Sequence, residues 1–205
     1  MFEDINSDGE INQDDRQIVG QGIPTYFGGF DNNFTYKGFS LRVFFQFSGG
    51  NDIFNQSRFA YENYGAFPGS ASIPYGNYNK RSLDYWREPG DVTSIPRPSH
   101  AREGSADAQF YRFSTQYLED GSFVRLRNVR LGYTFPNEWI SAAGLNSLTL
   151  YFSGQNLYTW TKYLGFDPEI NTNTASAESL NTLQGEDFGT LGQARTFMFG
   201  INIGL

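Results

Sequence analysis

The stretch FSLRVFFQFSGG, residues 39–50, alternates without a break. Phe39, Leu41, Val43, Phe45 and Phe47 fall on one side of an extended strand, and Ser40, Arg42, Phe44, Gln46 and Ser48 on the other. Successive side chains of a strand point to opposite faces, so this is a strand with one apolar face. TFMFGINIGL, 196–205, repeats the pattern, setting Phe197, Phe199, Ile201, Ile203 and Leu205 against Met198, Gly200, Asn202 and Gly204. In SLTLYFSGQNLYTWT, 147–161, Leu148, Leu150 and Phe152 oppose Thr149, Tyr151, Ser153 and Gln155, and Tyr158 and Trp160 continue the apolar side. YFGGFDNNFTYK, 26–37, is weaker, because Tyr26, Phe30, Phe34 and Tyr36 share their side with Gly28 and Asn32. FVRLRNVRLGYTF, 123–135, slips phase: Val124 and Leu126 are even-numbered, Val129, Leu131, Tyr133 and Phe135 odd. One extra residue near Arg127 and Asn128 restores the register, which predicts a bulge there.

The connections alternate in length. YKGF, 36–39, is a tight turn, and PNEWISAAGLN, 136–146, is a short link with one helical turn expected at Glu138–Ala142, ended by Gly144. Between the hairpins lie about 70 residues, and before the last strand about 30, both too long for structureless loops of a compact soluble domain. Short turns on one side and long loops on the other fit an outer-membrane barrel, and strands of roughly 10–13 residues fit a tilted membrane crossing. Tyr36, Phe39, Tyr133, Phe135 and Trp139 gather at the short-turn end, and Tyr158, Trp160 and Tyr163 at the other, as two interfacial belts do. The competing reading is a soluble, calcium-stabilised β-sandwich that binds carbohydrate and keeps its aromatics in the core. The two differ in whether Phe45 and Phe199 face lipid or a second sheet.

The totals narrow the function. The 205 residues suit one all-β domain, and the net charge of -7 argues against nucleic acid. With no cysteine, a disulfide framework and thiolate metal sites are excluded. Twenty Phe and 13 Tyr exceed what a soluble core of this size requires. A barrel strand shows lipid only every second side chain, so unremarkable mean hydropathy does not argue against a membrane. MFEDINSDG has neither a basic nor an apolar leader segment, giving the expectation of a cytoplasmic chain or one whose front is missing.

DINSDGEINQDD, 4–15, has the spacing of a calcium loop. Asp4, Asn6, Asp8, Asn12 and Asp15 offer side-chain oxygens, Glu10 its backbone carbonyl, and Gly9 the sharp turn; Ca²⁺ is the cation such oxygens suit. Asp15 stands where the helical version of the loop has Glu, as in dockerins, and Ile11 is placed to pin the loop by packing. A metal here is expected to hold shape, not to do chemistry. The alternative is an Asx-rich turn whose side chains bond their own backbone. Catalysis finds little support. His100, the only histidine, lies in a Pro- and Ser-rich stretch. Glu119 with Asp120 and Glu186 with Asp187 read as exposed loop acids, and Asp167 and Glu169 flanking Pro168 as a turn. Tyr, Phe, Trp, Asn and Arg in 54–67 and 75–86 suit sugar stacking or a protein interface, and equally a loop packed on its own aromatics.

Four segments, in order, resemble the C-terminal part of the SusC/RagA family of TonB-dependent outer-membrane transporters. They are DINSDGEINQDDRQIVGQGIPTYFGGFDNNFTYKGFSLRVFFQFSGGNDIFN, YLEDGSFVRLRNVRLGYTFP, LTLYFSGQNLYTWTKYLGFDPEI and ARTFMFGINIGL. The resemblance implies an all-β fold, about five antiparallel strands forming the C-terminal part of a 22-stranded barrel. It divides the chain into a calcium-type extracellular loop (1–24), a hairpin (25–49), a long extracellular loop (50–121), a second hairpin (122–161), another extracellular loop (162–192) and a terminal strand (193–205). It also implies an outer-membrane location, a SusD-like lipoprotein partner, energy from TonB, and import of oligosaccharides or peptides. By the same resemblance Leu205 is periplasmic, the short links are periplasmic, and GINIGL is the signal for barrel assembly, with Leu205 in place of the usual aromatic. Plug, TonB-contacting segment and most strands of the family are absent from the sequence. A natural truncation, a misplaced start or an engineered cut is therefore expected, with no transport by these residues alone, since open sheet edges in lipid leave backbone groups unpaired.

Overall fold

The computed structural model describes residues 3–62, 79–95, 97, 114–170 and 184–205. In chain order its strands are β1 (Tyr26–Tyr36), β2 (Phe39–Gly49), β3 (Asp52–Asn55), β4 (Leu118–Asp120), β5 (Phe123–Thr134), β6 (Ser147–Thr161), β7 (Glu186–Asp187) and β8 (Thr196–Gly204). Two short helices join them, α1 (Gln56–Glu62) and α2 (Asn137–Ile140). The chain divides into two compact units: 23–51, 120–169 and 191–205 form one, and 1–22, 52–119 and 170–190 the other.

The first unit is an antiparallel sheet in the order β1-β2-β5-β6-β8. Each alternating stretch of the sequence is one of these strands. The β1–β2 turn carries Lys37 at φ 44° and Gly38 at φ 86°. Two successive left-handed residues match the twist of a two-residue hairpin. Between β5 and β6, α2 runs into a 3-10 turn, Ser141–Ala143, and Gly144 at φ 72° ends it. The helical turn thus begins one residue before its expected start. Register then lines up rows across the whole sheet. Phe34, Leu41, Leu131, Phe152 and Phe199 form one apolar row, and Asn33, Arg42, Arg130, Ser153 and Met198 the neighbouring row on the opposite face.

The expected bulge is present. Phe44 pairs with Asn128 but Phe45 with Leu126, so Arg127 is extra relative to β2. Beside it, Asn128 pairs with Gln155 and Leu126 with Tyr158, so Asn156 and Leu157 together face Arg127. Asn156 takes φ 52°, a left-handed conformation that Asn tolerates better than most residues. Its Nδ2 donates to the Ala194 carbonyl at 3.1 Å, just before β8 begins.

Glycines inside the strands admit rings from the neighbouring strand. A Cβ on Gly28 would lie 2.7 Å from Cζ of Phe47, and one on Gly200 would collide with the Tyr151 ring. Both rings therefore cover adjacent backbone, which compensates for the side chain a strand glycine lacks.

The second unit shows that the stretch drawn as a loop at 50–121 has structure of its own. A three-stranded sheet runs in the order β4-β3-β7, with β3 and β7 parallel. Ile53, Phe59, Ile95 and Tyr117 are buried, and Phe59 meets Tyr117 edge-on at 5.3 Å. Arg58 on α1 donates from Nε to Glu62 at 2.9 Å and from Nη1 to Glu119 at 2.6 Å. Burial alone would lower its pKa, but the hydrogen bonds of Glu62 and Glu119 leave it raised, so Arg58 is a fixed cation.

Candidate functional site

Two faces of the sheet differ in chemistry. On the apolar face, Phe199 is 68% exposed and Phe34 60%, with Phe30, Leu131, Phe152, Ile201 and Ile203 also exposed. Burying each such side chain is worth about 1.5–3 kcal/mol. A sandwich would bury this face; among the described residues its side chains are exposed, as a lipid-facing wall requires and a sandwich core does not. Aromatics rim it at both ends. Phe39 and Tyr133 lie 4.5 Å apart, Tyr133 and Phe135 5.0 Å, and Phe135 and Trp139 6.3 Å; at the other end Tyr158 meets Trp160 at 4.7 Å. Along β5 the rims are marked by Tyr133 and by Val124, the partner of Trp160. That span is roughly 30 Å at about 3.3 Å per residue, or about 21–25 Å of height at a tilt of ~35–45°, close to the ~25 Å apolar band of an outer-membrane barrel.

The opposite face is ionic. Arg42 donates to Asp31 from Nη2 at 2.7 Å and from Nε at 3.1 Å. The Arg130 guanidinium lies 4.1 Å over the Tyr151 ring. Near the bulge a larger network ties the loop stem to the strands. Arg125, 1% exposed, donates to Asp167 and, at 3.0 Å, to Glu169. Arg127 donates from Nη1 to Glu169 at 3.0 Å and to Gln193 at 2.6 Å. Gln46 of β2 donates to Glu169 at 3.1 Å, and the Gln193 backbone N–H to Asp167 at 3.0 Å. A buried guanidinium is tolerable only when paired, and two carboxylates from one turn meet that need.

The sequence reading missed this network. GFDPEI is a turn, as expected, but Asp167 and Glu169 serve as counter-ions to β5. A signal existed: Arg125 and Arg127 flank the phase slip, where a charged residue has to find a partner. Glu119 and Asp187 are likewise not exposed loop acids. Glu119 bridges Arg58 and Asn55, and Asp187 is 1% exposed. His100 lies outside the described residues.

The 4–15 loop is organised by its own side chains. Asp4 accepts from the backbone N–H of Asp8 at 3.2 Å and of Gly9 at 2.8 Å. Asn6 accepts from Asp8 at 3.0 Å, Asp8 from Glu10 at 2.8 Å, and Asn12 from Asp14 at 2.7 Å. Asp15 closes the loop, accepting from Ile5 and Asn12, each at 2.8 Å. The donor set is all oxygen, which suits a hard cation. Yet among the described residues no three Asp or Glu side chains converge at ligating distance, because these carboxylates face amides. The backbone N–H of Asn12, with those of Ile5 and Asn6, holds the Asp15 carboxyl below the usual range. A depressed folded pKa contributes stability that is complete above the ordinary value of about 3.9 and disappears as pH falls through the lowered one. Proteolysis at residues 4–15 is therefore expected to accelerate only below about pH 4, and Asp15→Asn is expected to remove that dependence. Limited digestion across pH 2.5–6 with an acid-tolerant protease checks it.

A sheet with one exposed apolar face, rimmed by aromatics, and one ionic face has the chemistry of a membrane-spanning β-barrel wall. No protein-family model matches the chain. Over 203 residues, 99% of the chain, it is 36% identical to TonB-dependent receptor P3 of Formosa agariphila, of which it spans 18%. It is 24% identical to TonB-dependent receptor SusC of Bacteroides thetaiotaomicron over 99% of the chain and 17% of that receptor. A solved structure of the RagAB peptide transporter superposes with TM-score 0.71 at 26% identity, over 95% of this chain and 19% of the transporter chain. The chain belongs to the SusC/RagA family of TonB-dependent receptors, and its place is the outer membrane.

Proposed function

We propose that this chain forms part of the wall of a TonB-dependent transporter that imports oligosaccharides or peptides across the outer membrane with a SusD-like lipoprotein partner. The observation that carries the reading is the predominantly apolar face across five strands, interrupted in β1 by Asn32 and backed by an ionic face on the same strands. The apolar side meets lipid; the ionic side lines the passage. The short links 37–38 and 137–146 lie at the periplasmic end, and the long connections face outward. Similarity to SusC and RagAB supports a transporter over an enzyme. Fractionation of source cells tests it, with an antibody against residues 167–187. The expected result is an outer-membrane band far larger than 23.2 kDa that contains peptides preceding Met1. A soluble band near that mass would overturn the reading.

We further propose that residues 4–15 bind Ca²⁺ as a structural ion. Asp4, Asn6, Asp8, Asn12 and Asp15 would supply side-chain oxygens and Glu10 its carbonyl. Bound cation would replace part of the carboxylate–amide bonding and stiffen the loop. In the full-length receptor, millimolar Ca²⁺ is expected to protect this loop from protease, with EDTA reversing the effect and Asp8→Ala abolishing it. Equal cleavage with and without Ca²⁺ leaves the Asx-turn reading.

A further inference from the structure

We propose that residues 20–22 are a strap that couples the 4–15 loop to the returning segment 184–190, so that ordering one orders the other. The strap itself needs no metal; Ca²⁺ as the ligand that acts through it rests on the calcium reading above. The strap and its partners belong to one compact unit, 1–22, 52–119 and 170–190. Its seat is β3. Asp52 donates its backbone N–H to the Gln21 carbonyl at 2.7 Å, and Phe54 donates its own to the Gly185 carbonyl at 2.7 Å. N–H groups two residues apart on a strand point to the same edge. Residues 20–22 and 184–187 therefore share one edge of β3, one after the other. The Asp52 carboxylate doubles the first attachment by accepting from the Gln21 N–H at 3.0 Å.

Backbone meets backbone where the two segments join. A Cβ on Gly22 would collide with the Gln184 carbonyl, and one on Gly185 would lie 2.6 Å from the Gly22 Cα. A Cβ on Gly20 would lie 3.0 Å from Cγ of Asp52. Glycine permits such approach because it carries no side chain. Neither segment can shift without opening space at the other. β7 pairs with β3 at two positions, Phe54 with Glu186 and Asn55 with Asp187. Two pairs are too few to hold an extended segment alone, and the strap completes the edge. Beyond that pairing the segment seats α1. Gln56 donates to Glu186 at 3.1 Å, and the Gly189 N–H donates to Ser57 Oγ at 2.7 Å. In the other direction, residues 16–19 join the strap to Asp15, whose carboxylate closes the 4–15 loop. A ligand that fixes Asp15 removes freedom from this short tether, so less entropy is lost when the strap docks. By reciprocity, a docked strap raises the affinity for that ligand.

The test is hydrogen exchange read by mass spectrometry on the detergent-solubilised full-length receptor, in millimolar Ca²⁺ and in EDTA. Ca²⁺ is expected to slow exchange of residues 184–190 at least about fivefold, together with residues 4–15. Gly22→Ala is expected to keep the slowing at 4–15, abolish it at 184–190, and speed exchange at 184–190 in EDTA. Asp52→Ala removes an acceptor without adding bulk. It is expected to act in the same direction to a lesser degree, and it replaces Gly22→Ala if that variant fails to insert. Gly192→Ala, whose methyl would meet only ordinary contacts, is the control and is expected to match the parent. Slowing confined to 4–15 overturns the coupling and retains the calcium reading. No slowing at 4–15, with 184–190 still loosened by Gly22→Ala, removes the calcium reading and retains the strap. Exchange at 184–190 that neither Gly22→Ala nor Asp52→Ala changes overturns the proposal.

Discussion

Asp167→Ala, made in the full-length receptor, is expected to destabilise the folded state by about 2–4 kcal/mol, because it removes the more buried of the two carboxylates that hold a buried cation. Arg125 is almost wholly enclosed, and Asp167 is its most buried counter-ion. Removing that carboxylate also frees the Gln193 amide, so the return of the loop at 191–194 loses its anchor with its departure at 167–169. Glu169 remains, but it is shared with Arg127, Gln46 and Gln193. The measurement is the urea midpoint of the folded, heat-modifiable band on gels. The double variant Arg125→Met with Asp167→Leu is expected to recover most of the loss, since a buried pair replaced by apolar groups leaves nothing uncompensated. A midpoint for Asp167→Ala within error of the parent would show that Arg125 is not held in the way described.

Phe199→Arg is the second large effect, about 1–2 kcal/mol, between the midplane and interface costs, because its row meets β5 at Leu131, two residues inside the Tyr133 rim. Phe199 belongs to the row Phe34, Leu41, Leu131, Phe152, Phe199, and each of its partners is apolar. No partner there offers a countercharge. Asn202→Arg, three residues on and facing the other way, is the matched control and is expected to insert normally. Folded receptor in the outer-membrane fraction is the readout. Equal insertion of both variants would mean that the apolar face does not meet lipid.

Period-two alternation made the strands legible, because a face that meets lipid must be apolar at every second residue. The β5 bulge was legible for the same reason: a single extra residue reverses parity, and Val124 and Val129 cannot otherwise share a face. The β6 bulge was not. Relative to β2, that strand carries two extra residues, so Leu148 through Trp160 keep one parity and the sequence reads as unbroken. The Asp167–Glu169 network was hidden differently, since a turn and a salt-bridged turn have the same composition. Structure inside 50–121 and 162–192 was hidden because β3, β4 and β7 are each too short to show a period.

The paired bulges also affect geometry beyond the side chains. On one side of them Phe44, Asn128 and Gln155 are level; on the other, Phe45, Leu126 and Tyr158. One step along β2 thus corresponds to three along β6. In a closed sheet such stagger adds to the shear, and shear with strand number fixes tilt and radius. In the proposed barrel the section beyond the bulges would follow a larger shear than the section before them, so its calibre would be set partly by backbone insertions. Deleting Arg127 together with both Asn156 and Leu157 would bring β2, β5 and β6 back into one register. In β5 stagger and side-chain facing are coupled: with Arg127 present, only the bulge keeps Val124 and Val129 on one face.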